Sequence, residues 1–189
     1  HCVTRRQRQM CIRDRDIFTD GGTGLLVNNS ALAPADLELN AQGGTIDTVN
    51  GAAIDLTNVS FGGSGFNLDS VTSSNSTNNG IALSGLGGGT FNTTQLTASG
   101  ADVAAIRIQG TNTSTINLGD VDLTISDNNA TGLDMSGATV NGNVSASDFD
   151  ITSSTATGTT GISLVNTTGT GVVQIGDTNT NGGDNATIA

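Results

Sequence analysis

The sequence contains no tryptophan, no tyrosine and no lysine, and only one proline and five phenylalanines in 189 residues. A thick aromatic core is therefore excluded, and so is a sugar-binding groove floored by tyrosine or tryptophan. Both cysteines, Cys2 and Cys11, fall within the first eleven residues. Beyond them neither a disulfide framework nor a thiolate metal site can form. The single histidine is His1, so the rest of the chain offers no Ser-His-Asp nucleophile and no imidazole ligand for zinc. No run approaches the ~18 apolar residues of a membrane-spanning helix, and no signal peptide is legible.

Positive charge is scarce as well. Five of the six arginines stand in the first fifteen residues, HCVTRRQRQMCIRDR, whose composition clashes with everything that follows. The stretch MCIRDR back-translates to a sequence resembling the transposon mosaic end joined to fragments in sequencing libraries. Residues 1–15 are accordingly expected to be disordered, non-native read-through, and residues 16–189 the unit to interpret. That unit holds one arginine against sixteen acidic residues, a formal charge of −15. Phosphate backbones and anionic membranes repel such a body, which predicts no nucleic-acid partner and no membrane insertion by this segment.

What is abundant is glycine, at 27 residues, together with asparagine, serine and threonine, and aliphatic residues recur among them at a near-constant interval. The hexapeptides GLLVNN (24–29), AIDLTN (53–58), GIALSG (80–85), AIRIQG (105–110), GLDMSG (132–137) and GISLVN (161–166) share a pattern without sharing letters. Their first apolar residues are Leu25, Ile54, Ile81, Ile106, Leu133 and Ile162, at steps of 25 to 29. Two residues further on stand Val27, Leu56, Leu83, Ile108, Met135 and Leu164. Alternation with period two marks a strand with one buried face, so these twelve residues form the expected core ladder. Four residues past each anchor the column reads Asn29, Asn58, Gly85, Gly110, Gly137 and Asn166. Only residues that tolerate positive φ occur there, which predicts a sharp corner.

A second apolar column reads Leu37, Phe66, Phe91, Ile116, Val140 and Val172, followed by Asn67, Asn92, Asn117 and Asn141 in four coils. A third strand reads IDTV (46–49), VTSS (71–74), LTAS (96–99), LTIS (123–126) and ITSS (151–154). Three short strands per period predict an all-β solenoid: a single-stranded, right-handed, three-sided parallel β-helix of about six coils of 25–29 residues. Stacking supplies what one coil lacks. Each rung covers the inward side chains of the next and pairs its backbone groups. A β-sandwich would not hold three columns in register over five periods, and calcium-binding nonapeptide rolls would need tandem repeats where only GGSGFNLDS (62–70) comes near.

Over roughly residues 17–182 this layout resembles the right-handed parallel β-helix superfamily, which includes pectate-lyase-like enzymes, autotransporter passengers, large secreted adhesins and phage tailspikes. The resemblance rests on repeat geometry, and a shared fold does not assign a reaction. Its lyase branch implies Ca²⁺ held by aspartates and an arginine base, for which only Arg107 is available; the plainer expectation is a ladder ion pair between Arg107 and Asp134. Asp122 and Asp150 precede equivalent third-strand motifs, with Asp120 and Asp148 near the same edge, and the four form the one candidate cation patch, with Ca²⁺ as its ion. Outward hydroxyls at Thr72, Thr97, Thr124 and Thr152, beside Ser74, Ser99, Ser126 and Ser154, resemble the Thr-x-Thr arrays of ice-binding solenoids. They equally suit any exposed pleated surface.

The expectation that follows is a non-catalytic, structural or adhesive segment of a bacterial secreted or cell-surface protein, extracellular or on the outer surface, without a cofactor. It would meet a host or environmental surface or a glycan through its lateral faces. A polysaccharide lyase or hydrolase acting on acidic glycans, and an ice-binding solenoid, are the alternatives. An uncapped solenoid exposes apolar ends and unpaired edges, so further coils of the same chain are expected to continue end to end on both sides.

Overall fold

The computed structural model describes residues 8–13, 16–29, 37–153, 156–176 and 187–188. Among the described residues all regular structure is strand, every strand pair is parallel, and successive rungs stack as a solenoid of about six turns. One face is a six-stranded sheet of Leu25–Asn28, Ile54–Thr57, Asn79–Ser84, Ala104–Gln109, Thr131–Asp134 and Thr160–Ser163. Its register aligns Leu25, Ile54, Ile81, Ile106, Leu133 and Ile162 in one file, as the periodicity predicts. Ile54, Leu56, Ile81, Ile106, Ile108, Leu133 and Met135 are wholly buried, and Leu83 nearly so. Burying each such side chain contributes about 1.5–3 kcal/mol against its exposed state. Leu164 departs from this pattern. It follows the terminal strand of the sheet and is 45% exposed, because no described rung covers its outer side. Val27 and Ile162 are partly buried for the same reason, each lying on an outermost rung.

The expected corner is present. Asn58, Gly85, Gly110, Gly137 and Asn166 have φ of 53°, 64°, 66°, 75° and 56°. Asn29, the remaining member of the column, is buried and donates from Nδ2 to the carbonyl of Asn58 at 2.9 Å. A second corner column went unrecognised in the sequence. Gly21, Asn50, Asn75 and Gly100 also have positive φ, and their amides bond in sequence to the carbonyls of Val49, Ser74, Ser99 and Thr124 one coil on.

The other two faces share one sheet. Ser60–Ser74 and Thr90–Ser99 run through the corner between them without a break. The second apolar column is Ala41, Phe66, Phe91, Ile116, Val144 and Val173. Leu37 and Val140 are thus each four residues away from the true rung position, an even slip that keeps a side chain on the same face. Val172 is one residue away and points outward, 60% exposed. Within the column Phe66 and Phe91 stack with ring centroids 5.8 Å apart, and Phe61 packs beside both at 5.7 and 5.9 Å.

Beside this column runs an asparagine ladder. Asn92 donates to Asn67 Oδ1, Asn117 donates to Asn92 Oδ1 at 2.6 Å, and Ser145 donates to Asn117 Oδ1 at 2.7 Å. Ser145, rather than Asn141, continues the file. Each amide accepts from one neighbour and donates to the other, so Asn92→Ala is expected to remove two bonds and lower stability by about 1–3 kcal/mol. Far-UV circular dichroism would follow the unfolding, and combining it with Asn117→Ala should give less than the sum of the two single losses.

The segment expected to stand apart contributes one strand. Arg8–Arg13 pairs in parallel with Leu37–Gln42, from Arg8 beside Leu37 to Arg13 beside Gln42. Rung pairing uses backbone groups alone, so an open parallel edge accepts an extended segment of almost any sequence.

Candidate functional site

The lateral faces carry the candidate chemistry, and their content depends on register. On the third face the inward file is Ile17, Ile46, Val71, Leu96, Val121 and Phe149. Leu96 therefore lies beside Val121, two residues before the Leu123 that similarity of motif suggests. The slip is even, so the inward and outward sets are preserved while the ladders are re-sorted. One outward file reads Asp47, Thr72, Thr97, Asp122 and Asp150, and the next reads Val49, Ser74, Ser99, Thr124 and Thr152. Thr72 and Thr97 are adjacent as expected. Thr124 and Thr152 belong to the serine file instead. Ser126 lies beyond the strand, donating to Asp127 Oδ2 at 3.3 Å, and Ser154 falls outside the described residues.

The four candidate carboxylates do sit on neighbouring rungs, Asp120 beside Asp148 and Asp122 beside Asp150. They do not converge. Asp148 turns one oxygen back to accept from the Phe149 amide at 2.8 Å, and among the described residues no three His, Cys, Asp or Glu side chains gather so as to hold a metal ion. Adjacent rungs bring carboxylates near in pairs, whereas Ca²⁺ requires six to eight oxygens around one point.

On the first face Arg107 lies between Ala82 and Asp134, as the repeat predicts. Its Nε is 3.5 Å from Asp134 Oδ2, and with the Gln109 amide turned to its hydrogen-bonding orientation Gln109 accepts from Nε and an Nη of the same guanidinium at 2.9 and 2.7 Å. The guanidinium is thus tied into the ladder. At a half-exposed position the ion pair contributes about 0–1 kcal/mol.

Below Arg107 the surface is indented where Ala82 gives a gap in a file of larger side chains, Asp55 on one side and Arg107 on the other. Two shallow depressions of about 200 and 210 Å³ meet there and share Asp55, Asn79 and Ala82 as walls. The first arises from loop length. Seven residues lie between Ile46 and Ile54 and nine between Val71 and Ile81, so the corner carrying Ser76 to Asn78 overhangs the shorter one at Asn50 to Ala52. Ser76 is buried and fixes this overhang, donating to the carbonyl of Asn79 at 2.8 Å and accepting from the amide of Asn78 at 3.3 Å.

No protein-family model, curated protein or solved structure gives a significant match to the chain. What the site can do must therefore be argued from its own groups. Two larger depressions, of about 300 and 320 Å³, lie along Asn117, Ser145 and Gln174, but their side chains already bond to one another or to backbone. The notch at Ala82 differs. Asp55 has no hydrogen-bond or ion-pair partner among the described residues, and burial raises its pKa above the ordinary carboxylate value. Asn79 Oδ1 is buried without a partner.

Neither Asp55 nor Asn79 stands out in the sequence as a site residue. The signal that marks them is Ala82, the smallest residue of the outward file, combined with the longer loop before Ile81. A prediction follows from the shift on Asp55. A carboxyl that holds its proton more tightly when folded favours folding at low pH, and this contribution fades as pH rises through the folded pKa. Ionised Asp55 therefore opposes folding at neutral pH. Asp55→Asn is expected to raise the melting temperature at pH 7, with the difference vanishing once pH falls below the unfolded carboxylate value, as a pH series of thermal melts would show.

Proposed function

We propose that this chain is a structural and adhesive segment of a bacterial secreted or cell-surface protein of the autotransporter-passenger or large-adhesin kind, working outside the cell without catalysis. The observation that supports it most is the regularity of the column. Coils stay within 25 to 29 residues, inward files keep their apolar character, and most outward positions hold short polar side chains that change from rung to rung. Such a surface is stiff, repetitive and long in one direction, which suits a stalk that presents lateral faces to a glycan or a host or environmental surface. Engagement of Arg107 by Asp134 and Gln109 weighs against its serving as the base of a polysaccharide lyase. The interruption of the Thr72–Thr97 file by Asp122 and Asp150 weighs against ice binding, which needs an unbroken hydroxyl lattice.

The test is retention against turnover. The chain fixed to beads is expected to hold back members of a panel of acidic and neutral glycans while releasing no new reducing ends or unsaturated products. Turnover that disappears in Arg107→Ala would transfer the chain to the lyase class. Failure to retain any member of the panel would remove the adhesive part of the proposal.

A further inference from the structure

We infer that the notch at Ala82 is a binding site for a small amino sugar, whose primary ammonium group pairs with Asp55 and whose hydroxyls engage Thr57 and Ser84. The site is local and independent of the adhesive reading, since it needs only the rungs that carry Asp55, Ala82 and Arg107. The argument begins with what is unsatisfied. Asp55 is a partly buried carboxylate with no partner among the described residues. It walls both depressions. A desolvated carboxylate without a donor favours a cation over a neutral hydroxyl.

The neighbours narrow the class. Thr57 and Ser84 face each other across one rung and line the second depression, offering hydroxyls that can donate or accept. Ala82 supplies a small apolar floor. Arg107 stands two rungs from Asp55, on the order of 10 Å along the sheet, and its charge is already met by Asp134. It therefore closes the far wall without claiming Asp55. The chain has no lysine, so a second copy cannot present a side-chain primary ammonium to this site. The surrounding charge, −15 beyond the first fifteen residues, draws cations toward it. A depression of about 210 Å³ matches a single sugar ring more nearly than a polymer.

The experiment is titration of the full chain, uniformly ¹⁵N-labelled, with glucosamine, glucose, N-acetylglucosamine and lysine amide, followed by amide chemical shifts. Glucosamine is expected to move the resonances of Asp55, Asn79 and Ala82 with millimolar affinity, and glucose and N-acetylglucosamine, which lack the charge, to leave them in place. Asp55→Asn, which keeps the fold, is expected to weaken glucosamine about tenfold or more. Ala82→Val, which fills the notch from an outward position, is expected to abolish the shifts. Equal shifts with glucose, or undiminished binding by Asp55→Asn, would overturn the assignment. Lysine amide binding as tightly as glucosamine would overturn the sugar-ring part of it, and weaker binding would support it.

Discussion

Ile106→Ala is expected to lower the stability of the column by about 2–5 kcal/mol, while Arg107→Ala, one residue away, lowers it by about 0–1 kcal/mol. The two positions share a strand and differ only in the side they face. Ile106 is wholly buried between Ile81 and Leu133, in the middle of an unbroken aliphatic file. Truncation leaves a void between two rungs that backbone pairing holds at fixed spacing, so neighbours cannot collapse into it as freely as in a core of independently packed elements. Arg107→Ala loses one ion pair and the hydrogen bonds to Gln109, all at a half-exposed position. Urea unfolding followed by far-UV circular dichroism separates the two, a necessary choice of probe in a chain without tryptophan or tyrosine. Similar losses at both positions would be incompatible with an interior file.

The second large effect concerns glycine. Gly119 and Gly137 have φ of 69° and 75°, so alanine at either is strained by about 1–2 kcal/mol. Their surroundings differ. A Cβ on Gly119 would come within 2.4 Å of the carbonyl oxygens of both Thr93 and Thr94, whereas one on Gly137 meets nothing within 4 Å. Gly119→Ala is therefore expected to exceed Gly137→Ala in destabilisation by at least about 2 kcal/mol, because backbone on the adjacent rung must move and the pairing of Gln95 with Asp120 begins immediately beyond it. Equal losses in urea titrations of the two variants would show that torsional strain alone decides the corners.

The first-face file was legible in sequence because each of its strands ends at a residue tolerant of positive φ, and that corner fixes the count. At Ile81, Ile106 and Leu133 alternation and corner agree, so register admits one solution. On the third face the motif letters alone supply no such check. VDLTIS offers three inward aliphatics, Val121, Leu123 and Ile125, and matching LTIS to LTAS selects Leu123, two residues past the true partner of Leu96. Period-two alternation cannot detect that slip. The information was present nonetheless: Asn50, Asn75 and Gly100 directly follow IDTV, VTSS and LTAS, a second corner column that anchors those strands. The adjacent valines Val172 and Val173 posed a different problem, since either satisfies hydrophobicity and only rung pairing selects Val173.

The candidate site was less legible than the fold for a related reason. Carboxylates attract notice in a sequence, and Asp120, Asp122, Asp148 and Asp150 were placed on neighbouring rungs as their spacing implies. An indentation is made by what is missing. Ala82 shows only as a small residue in a file, and the overhang above it depends on a two-residue difference between loops on successive coils.

Ser60–Ser74 and Thr90–Ser99 pass through their shared edge as uninterrupted strands, whereas the edges at Asn58 and Asn75 are made by single left-handed residues. A prism braced along one edge in two of its coils, with Gly44 and Gly119 left-handed at that edge in the coils on either side, does not flex equally in every direction. Load applied sideways would deflect it about the braced edge, with the jointed edges opening and closing like pleats. A shaft built this way has a preferred plane of sway, set by where its asparagines and glycines fall.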